Sequence, residues 1–244
     1  MKLQPLFVLI MIGATTISSC AEDVAKKALD DARSYSKSGD YAKALERHEW
    51  FHKNALGIEP SYYGVRLSFA LSDWKRLGEK YPPALASLKS IRDSGLAALA
   101  AGTASSEIFH DVSSINRELG EDDATVTVFK QMHMAHPDLA KKCFRAAQDT
   151  LIERGAIDLF IHYAGDLSSY MKAQIEQHRS ITEHMKSQNN PRMESSLKRF
   201  DDKLVETALK LMEIATKQND PAASERIREL TAASVTDTRL RPTK

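Results

Sequence analysis

His48-Glu49-Trp50-Phe51-His52 sets two imidazoles four residues apart, with a carboxylate beside the first. On a helix, positions i and i+4 share a face, so His48 and His52 could grip one zinc ion while Glu49 activates a metal-bound water as general base. The phase of the segment supports a second reading. Tyr41, Ala44, Leu45, His48, His52, Ala55 and Leu56 recur at helical spacing and form one seam. Both histidines then sit where the helix packs, as partly buried, hydrogen-bonded side chains. The segment thus fits either a zinc-dependent hydrolase or a packed helix face. A softer cluster, Met132-His133-Met134-Ala135-His136-Pro137, places two histidines at i and i+3 beside two thioethers. It reads as a soft-metal site or, more simply, as a polar helix end. The chain carries no Gly-rich phosphate loop, Cys pair or nucleophile elbow.

Aromatic side chains concentrate in one place. Trp50, Phe51, Tyr62, Tyr63, Phe69, Trp74 and Tyr81 are seven of the seventeen aromatics, and both tryptophans are among them. Large rings bury much area, so this stretch marks the thickest part of a core. Trp, Tyr and Arg are also the usual anchors of interfaces. A partner groove built from Arg66, Trp74, Lys75, Asn116 and Arg117 is therefore the candidate binding surface.

The elements that must position these residues are helical. Strong helix formers dominate and alternating β-branched runs are nearly absent, which predicts an all-α chain. Helices are expected over 22–37, 40–56, 61–80, 82–101, 105–119, 122–136 and 138–154, with a short one ending near 164. Val65, Phe69, Leu71, Trp74 and Leu77 form the apolar stripe of the third. Gly39 is expected to end the first helix and Asp40 to cap the second through its side chain. Long charge-rich helices follow over 168–188 and 193–217, and Asn219-Asp220-Pro221 turns into a last helix ending near 233. Residues 236–244 are expected to fray.

Ser38-Gly39-Asp40-Tyr41, followed by Ala44 and Leu45, resembles the mid-repeat turn of a tetratricopeptide (TPR) repeat. Glycines at 39, 78, 120 and 155 would repeat that turn, spaced 39, 42 and 35 residues apart, against a nominal period of about 34. Gly120, Phe129 and Pro137 have the offsets of the TPR turn, second-helix aromatic and terminal proline. The consensus Trp and Leu-Gly pair are missing. The resemblance covers roughly residues 25–165 and implies a solenoid of antiparallel helix pairs whose first helices line a concave binding face. His48 to His52 also matches the H-E-x-x-H pattern of zincin metallopeptidases, without the third ligand of metzincin spacing and without a preceding strand. Ile17-Ser18-Ser19-Cys20, after a basic start and an apolar run, resembles the bacterial lipobox. That resemblance implies cleavage before Cys20, acylation of Cys20 and, since Ala21 follows, a periplasm-facing anchor in the outer membrane of a Gram-negative source. The chain is also similar to uncharacterised bacterial proteins through the runs at 46–52 and 63–71, which implies no activity.

Expected domains are a signal peptide over 1–19, TPR-like repeats over 20–165, a long-helix pair with a capping helix over 166–235, and a tail over 236–244. Without residues 1–19 the chain holds 33 basic and 33 acidic residues. A neutral chain with scattered charge has no footprint for nucleic acid. Cys143 is then the lone thiol besides Cys20, expected as a small buried hydrophobe. The leading expectation is a membrane-anchored, non-enzymatic module for protein or peptide partners in the bacterial envelope, with no cofactor. The alternative is a zinc hydrolase using His48, Glu49 and His52.

Overall fold

The first helical hairpin shows how local chemistry sets the architecture. Helix α1 (Thr16–Ser38) ends at Gly39, whose φ of +88° is a left-handed conformation that glycine adopts without a Cβ clash. The Asp40 N–H then reaches back to the Tyr35 carbonyl at 2.9 Å, satisfying a carbonyl the helix end would leave bare. Helix α2 (Tyr41–Ile58) starts at once and packs antiparallel on α1. Contrary to the expectation from sequence, Asp40 does not cap it through its side chain; the carboxylate lies 3.8 Å from Lys43 Nζ instead. The same backbone closure recurs after Gly120, after Gly155 and after Asn219. Only at the last does the aspartate also cap, with Asp220 accepting from the Ala223 N–H at 2.9 Å.

This is a computed structural model, and it describes residues 16–187 and 194–241, with side chains from Val24 onward. Most of the expected signal peptide lies outside the described residues. The backbone of Cys20 falls within α1, and its side chain lies outside them. Among the described residues there are twelve α-helices and no strand. No helix there is long and apolar enough to cross a membrane. The chain divides into two compact units, one running to Ala146 and the other starting at Ala147. The division falls inside α8 (Pro137–Glu153), earlier than the expected boundary at 165.

The first unit continues from α2 through a 3-10 turn at Pro60–Tyr62 into α3 (Tyr63–Arg66), α4 (Phe69–Lys80), α5 (Pro82–Ala100), α6 (Ser106–Leu119) and α7 (Asp122–Ala135). The third helix expected over 61–80 is thus broken. Ser68 leaves the helical region at φ −135° and ψ −93°, and its hydroxyl bonds back to the Gly64 carbonyl at 2.7 Å. The break turns Phe69 out to solvent at 68 % exposure, although its sequence phase put it on the apolar stripe. Gly78 is no turn glycine either. It is buried within α4, and a Cβ there would stand 2.8 Å from Leu85 Cβ and 3.1 Å from Leu85 Cα. Its lack of a side chain lets α4 and α5 cross closely. Packing runs in succession: α1 on α2 and α4, α2 on α4, α4 on α5 and α6, α5 on α6 and α7, α6 on α7. Leu71, Trp74, Leu77, Leu88 and Ile115 form the centre of the core, joined by Ala44 and Ala84.

The second unit comprises the end of α8, then α9 (Ile157–Ala164), α10 (Leu167–Ser187), α11 (Glu194–Lys217) and α12 (Pro221–Ala232). Helices α10, α11 and α12 each pack on the other two. The stripe expected on α11 is buried through Leu204, Ala208, Leu211 and Ile214. Residues 236–241 do not fray. A 3-10 turn at Thr238–Leu240 buries Leu240 to 2 % exposure, and Arg239 reaches Asp202 of α11 at 2.9 Å.

Candidate functional site

Helix α2 presents Ala44, His48, Phe51, His52 and Ala55 as its buried face. His48 is 2 % exposed and His52 9 %, so the helical phase placed both imidazoles correctly. What they meet is a single indole. Trp74 of α4 stacks on His48 with ring centres 5.7 Å apart and planes 18° from parallel. Its other contact is edge-to-face with His52, at 5.9 Å and 76°. The Trp74 N–H donates to the Ala84 carbonyl at 3.0 Å, which fixes the ring between the two histidines.

His52 is also held from above its own helix. The Arg66 Nε donates to the His52 carbonyl at 2.7 Å, and an Arg66 terminal nitrogen lies 3.1 Å from His52 Nε2. A guanidinium stays protonated and can only donate. His52 Nε2 is therefore the acceptor, and the ring proton belongs on Nδ1. The two terminal nitrogens of Arg66 grip both oxygens of Asp111 on α6, one at 2.7 Å. Asp111 Oδ2 is 3.8 Å from His52 Nε2, too far for a hydrogen bond. Beside this fork the Tyr63 hydroxyl pairs with His110 Nδ1. Short helix α3 is thereby tied to α2 and α6 at once, which the break at Ser68 makes possible.

Burial is the main reason that both histidines titrate low, each at about 4. Asp73 pulls His48 the other way, and for His52 the Arg66 charge adds to the lowering. Both rings are neutral at pH 7. His48 Nδ1 is buried with no hydrogen-bond partner.

This geometry bears on the H-E-x-x-H reading. Trp74 covers a face of His48 and meets His52 edge-to-face, and a guanidinium faces the lone pair of His52 Nε2. Glu49 lies on the exposed side of α2, where it accepts from the Ser87 hydroxyl at 2.5 Å. Among the described residues no group of three or more His, Cys, Asp or Glu side chains is placed to hold a metal ion. The 132–136 cluster disperses: Met132 is buried, Met134 is 84 % exposed, and His136 reaches the Ala100 carbonyl at 3.2 Å. Cys143 is 1 % exposed and its thiol is pushed up to about 11 by burial, as a small core residue would be.

The candidate partner groove fares differently residue by residue. Arg66, Trp74 and Asn116 are buried, at 9 %, 1 % and 0 % exposure, and face the interior rather than a partner. Asn116 donates to the Thr125 hydroxyl at 3.0 Å, joining α6 to α7. Lys75 is half-buried and Arg117 is exposed. The correction has one cause: on amphipathic helices, Trp and Arg at apolar phase serve packing and ion pairing before recognition. Asp111 was missed from sequence. Its signal is an acidic residue beside Phe109 and Val112 on the apolar face of α6, where a buried carboxylate demands a cationic partner.

No family model matches this chain, nor does any curated protein sequence or solved structure.

Proposed function

We propose that the chain is a lipid-anchored, non-enzymatic module of the bacterial envelope, built as a TPR-like stack of helix pairs, that binds or scaffolds protein partners. The observation that supports it is the packing order of the first unit, in which helices meet others one to three places further along the chain. Such quasi-linear stacking is how helical repeats bury their faces and present long surfaces. The anchor would be Cys20, facing the periplasm from the outer membrane. Lys75 and Arg117 remain the accessible members of the expected groove.

An alkyne fatty acid fed to the source bacterium should label the protein, and Cys20→Ser should abolish the label; an unlabelled wild type refutes the anchor. Crosslinking in intact envelopes should return one partner from both directions, with the yield lowered in Lys75→Ala/Arg117→Ala at unchanged melting temperature. The zinc-hydrolase alternative is less well supported, because the buried ring stack and Arg66 surround its two histidines. Elemental analysis of purified chain decides that point: stoichiometric zinc that disappears in His48→Ala and His52→Ala would restore it.

A further inference from the structure

Between α1 and α4 the first unit opens a cleft of about 570 Å³ whose floor includes His48. Its size is that of a small-molecule site rather than of a flat protein contact. Arg33, Lys37, Arg76 and Lys80 line it against two acids, Asp73 and Glu79. Asp73 accepts from Arg33 Nε at 2.7 Å and pairs with Arg76, so one carboxylate holds two guanidinium groups in place. Lys37 and Lys80 have no ion pair among the described residues. They sit in the last turns of α1 and α4, whose ends contribute about half a negative charge each. The lining still keeps an excess of about one positive charge after that subtraction.

Two further features point to an occupant. Phe69 lines the cleft and is 68 % exposed, a large apolar ring left in water. His48 closes the floor almost fully buried, its flat ring backed by Trp74. We infer that the cleft binds a small organic anion with an aromatic or flat apolar body. Its carboxylate or phosphate oxygens would take the lysine and free guanidinium donors, and its body would lie against Phe69 over His48. This site is independent of the protein-partner reading and stands whether or not that reading holds.

Isothermal titration of the full chain in neutral detergent at low salt, with phenyl phosphate, benzoate and inorganic phosphate as probes, tests it. An aromatic anion should bind saturably at one site per chain and more tightly than inorganic phosphate; the tighter of the two aromatic probes identifies the anionic group. Lys37→Ala/Lys80→Ala should weaken that binding by about fivefold or more, the effect of two exposed charge contacts. Phe69→Ala should erase the advantage over inorganic phosphate. Both variants change exposed or rim side chains and should melt as wild type. Binding should shift the His48 ring signals in NMR spectra. No saturable binding by any probe, affinity unchanged in the lysine variant, or silent His48 signals would each overturn the assignment.

Discussion

Acid should unfold this protein through two histidines before its carboxylates matter. In the unfolded chain His48 and His52 titrate near the ordinary 6.5; in the folded chain both are lowered to about 4. The depressed folded values mean that the unfolded state takes up protons first. Stability is complete above pH 6.5, falls as pH drops through the interval from 6.5 to about 4, and levels off below it for these groups. From pH 7.5 to 5 the linkage amounts to about 2 kcal/mol per histidine, about 4 kcal/mol together. That is a large part of the ~5–15 kcal/mol typical of a folded domain. His110 is lowered by burial as well and adds in the same direction. The assay is urea unfolding, followed by circular dichroism at half-unit pH steps. His48→Phe keeps a ring against Trp74 and removes the titrating nitrogens. Near pH 5.3 it should flatten the slope of stability against pH by about 1.2 kcal/mol per unit, whatever its effect on absolute stability. A wild-type stability that is level between pH 7.5 and 5, or an unchanged slope in His48→Phe, would refute the argument that both rings are held neutral by burial.

Asp111→Ala should destabilise by about 3–5 kcal/mol, since it strands the buried Arg66 charge, whereas Arg66→Met/Asp111→Leu should recover most of that loss in the same unfolding assay. For the same reason Arg66→Ala should lower the melting temperature, which a groove residue in solvent would leave alone. Gly78→Ala should cost about 1–3 kcal/mol, because the new methyl meets the Leu85 backbone and Cβ where α4 crosses α5; an unchanged melting curve would sink that crossing.

Helix positions, the α1–α2 turn and the burial of His48 and His52 were legible in the sequence because each depends on local rules. Periodicity over a few turns fixes which face of α2 is apolar, and a glycine with positive φ ends α1 whatever lies beyond it. The same rules misread Gly78, Phe69 and Leu240. A glycine that ends a helix and one that lets two helices touch look alike along the chain; only the neighbour, Leu85, tells them apart. Phe69 had the right phase for a continuous helix, and a single serine hydroxyl competing for a backbone carbonyl broke that phase. Leu240 lies in a polar stretch with no period, yet its turn packs on α11 and α12 and buries it. The site depended most on tertiary structure. Arg66 and Asp111 are 45 residues apart, and neither announces the other. A charged side chain at an apolar phase is costly alone and acceptable when paired and hydrogen-bonded. Composition and spacing could therefore raise the question of where Arg66, Trp74 and Asn116 point, but long-range packing answered it, because burial is a property of what the other helices bring to the same place.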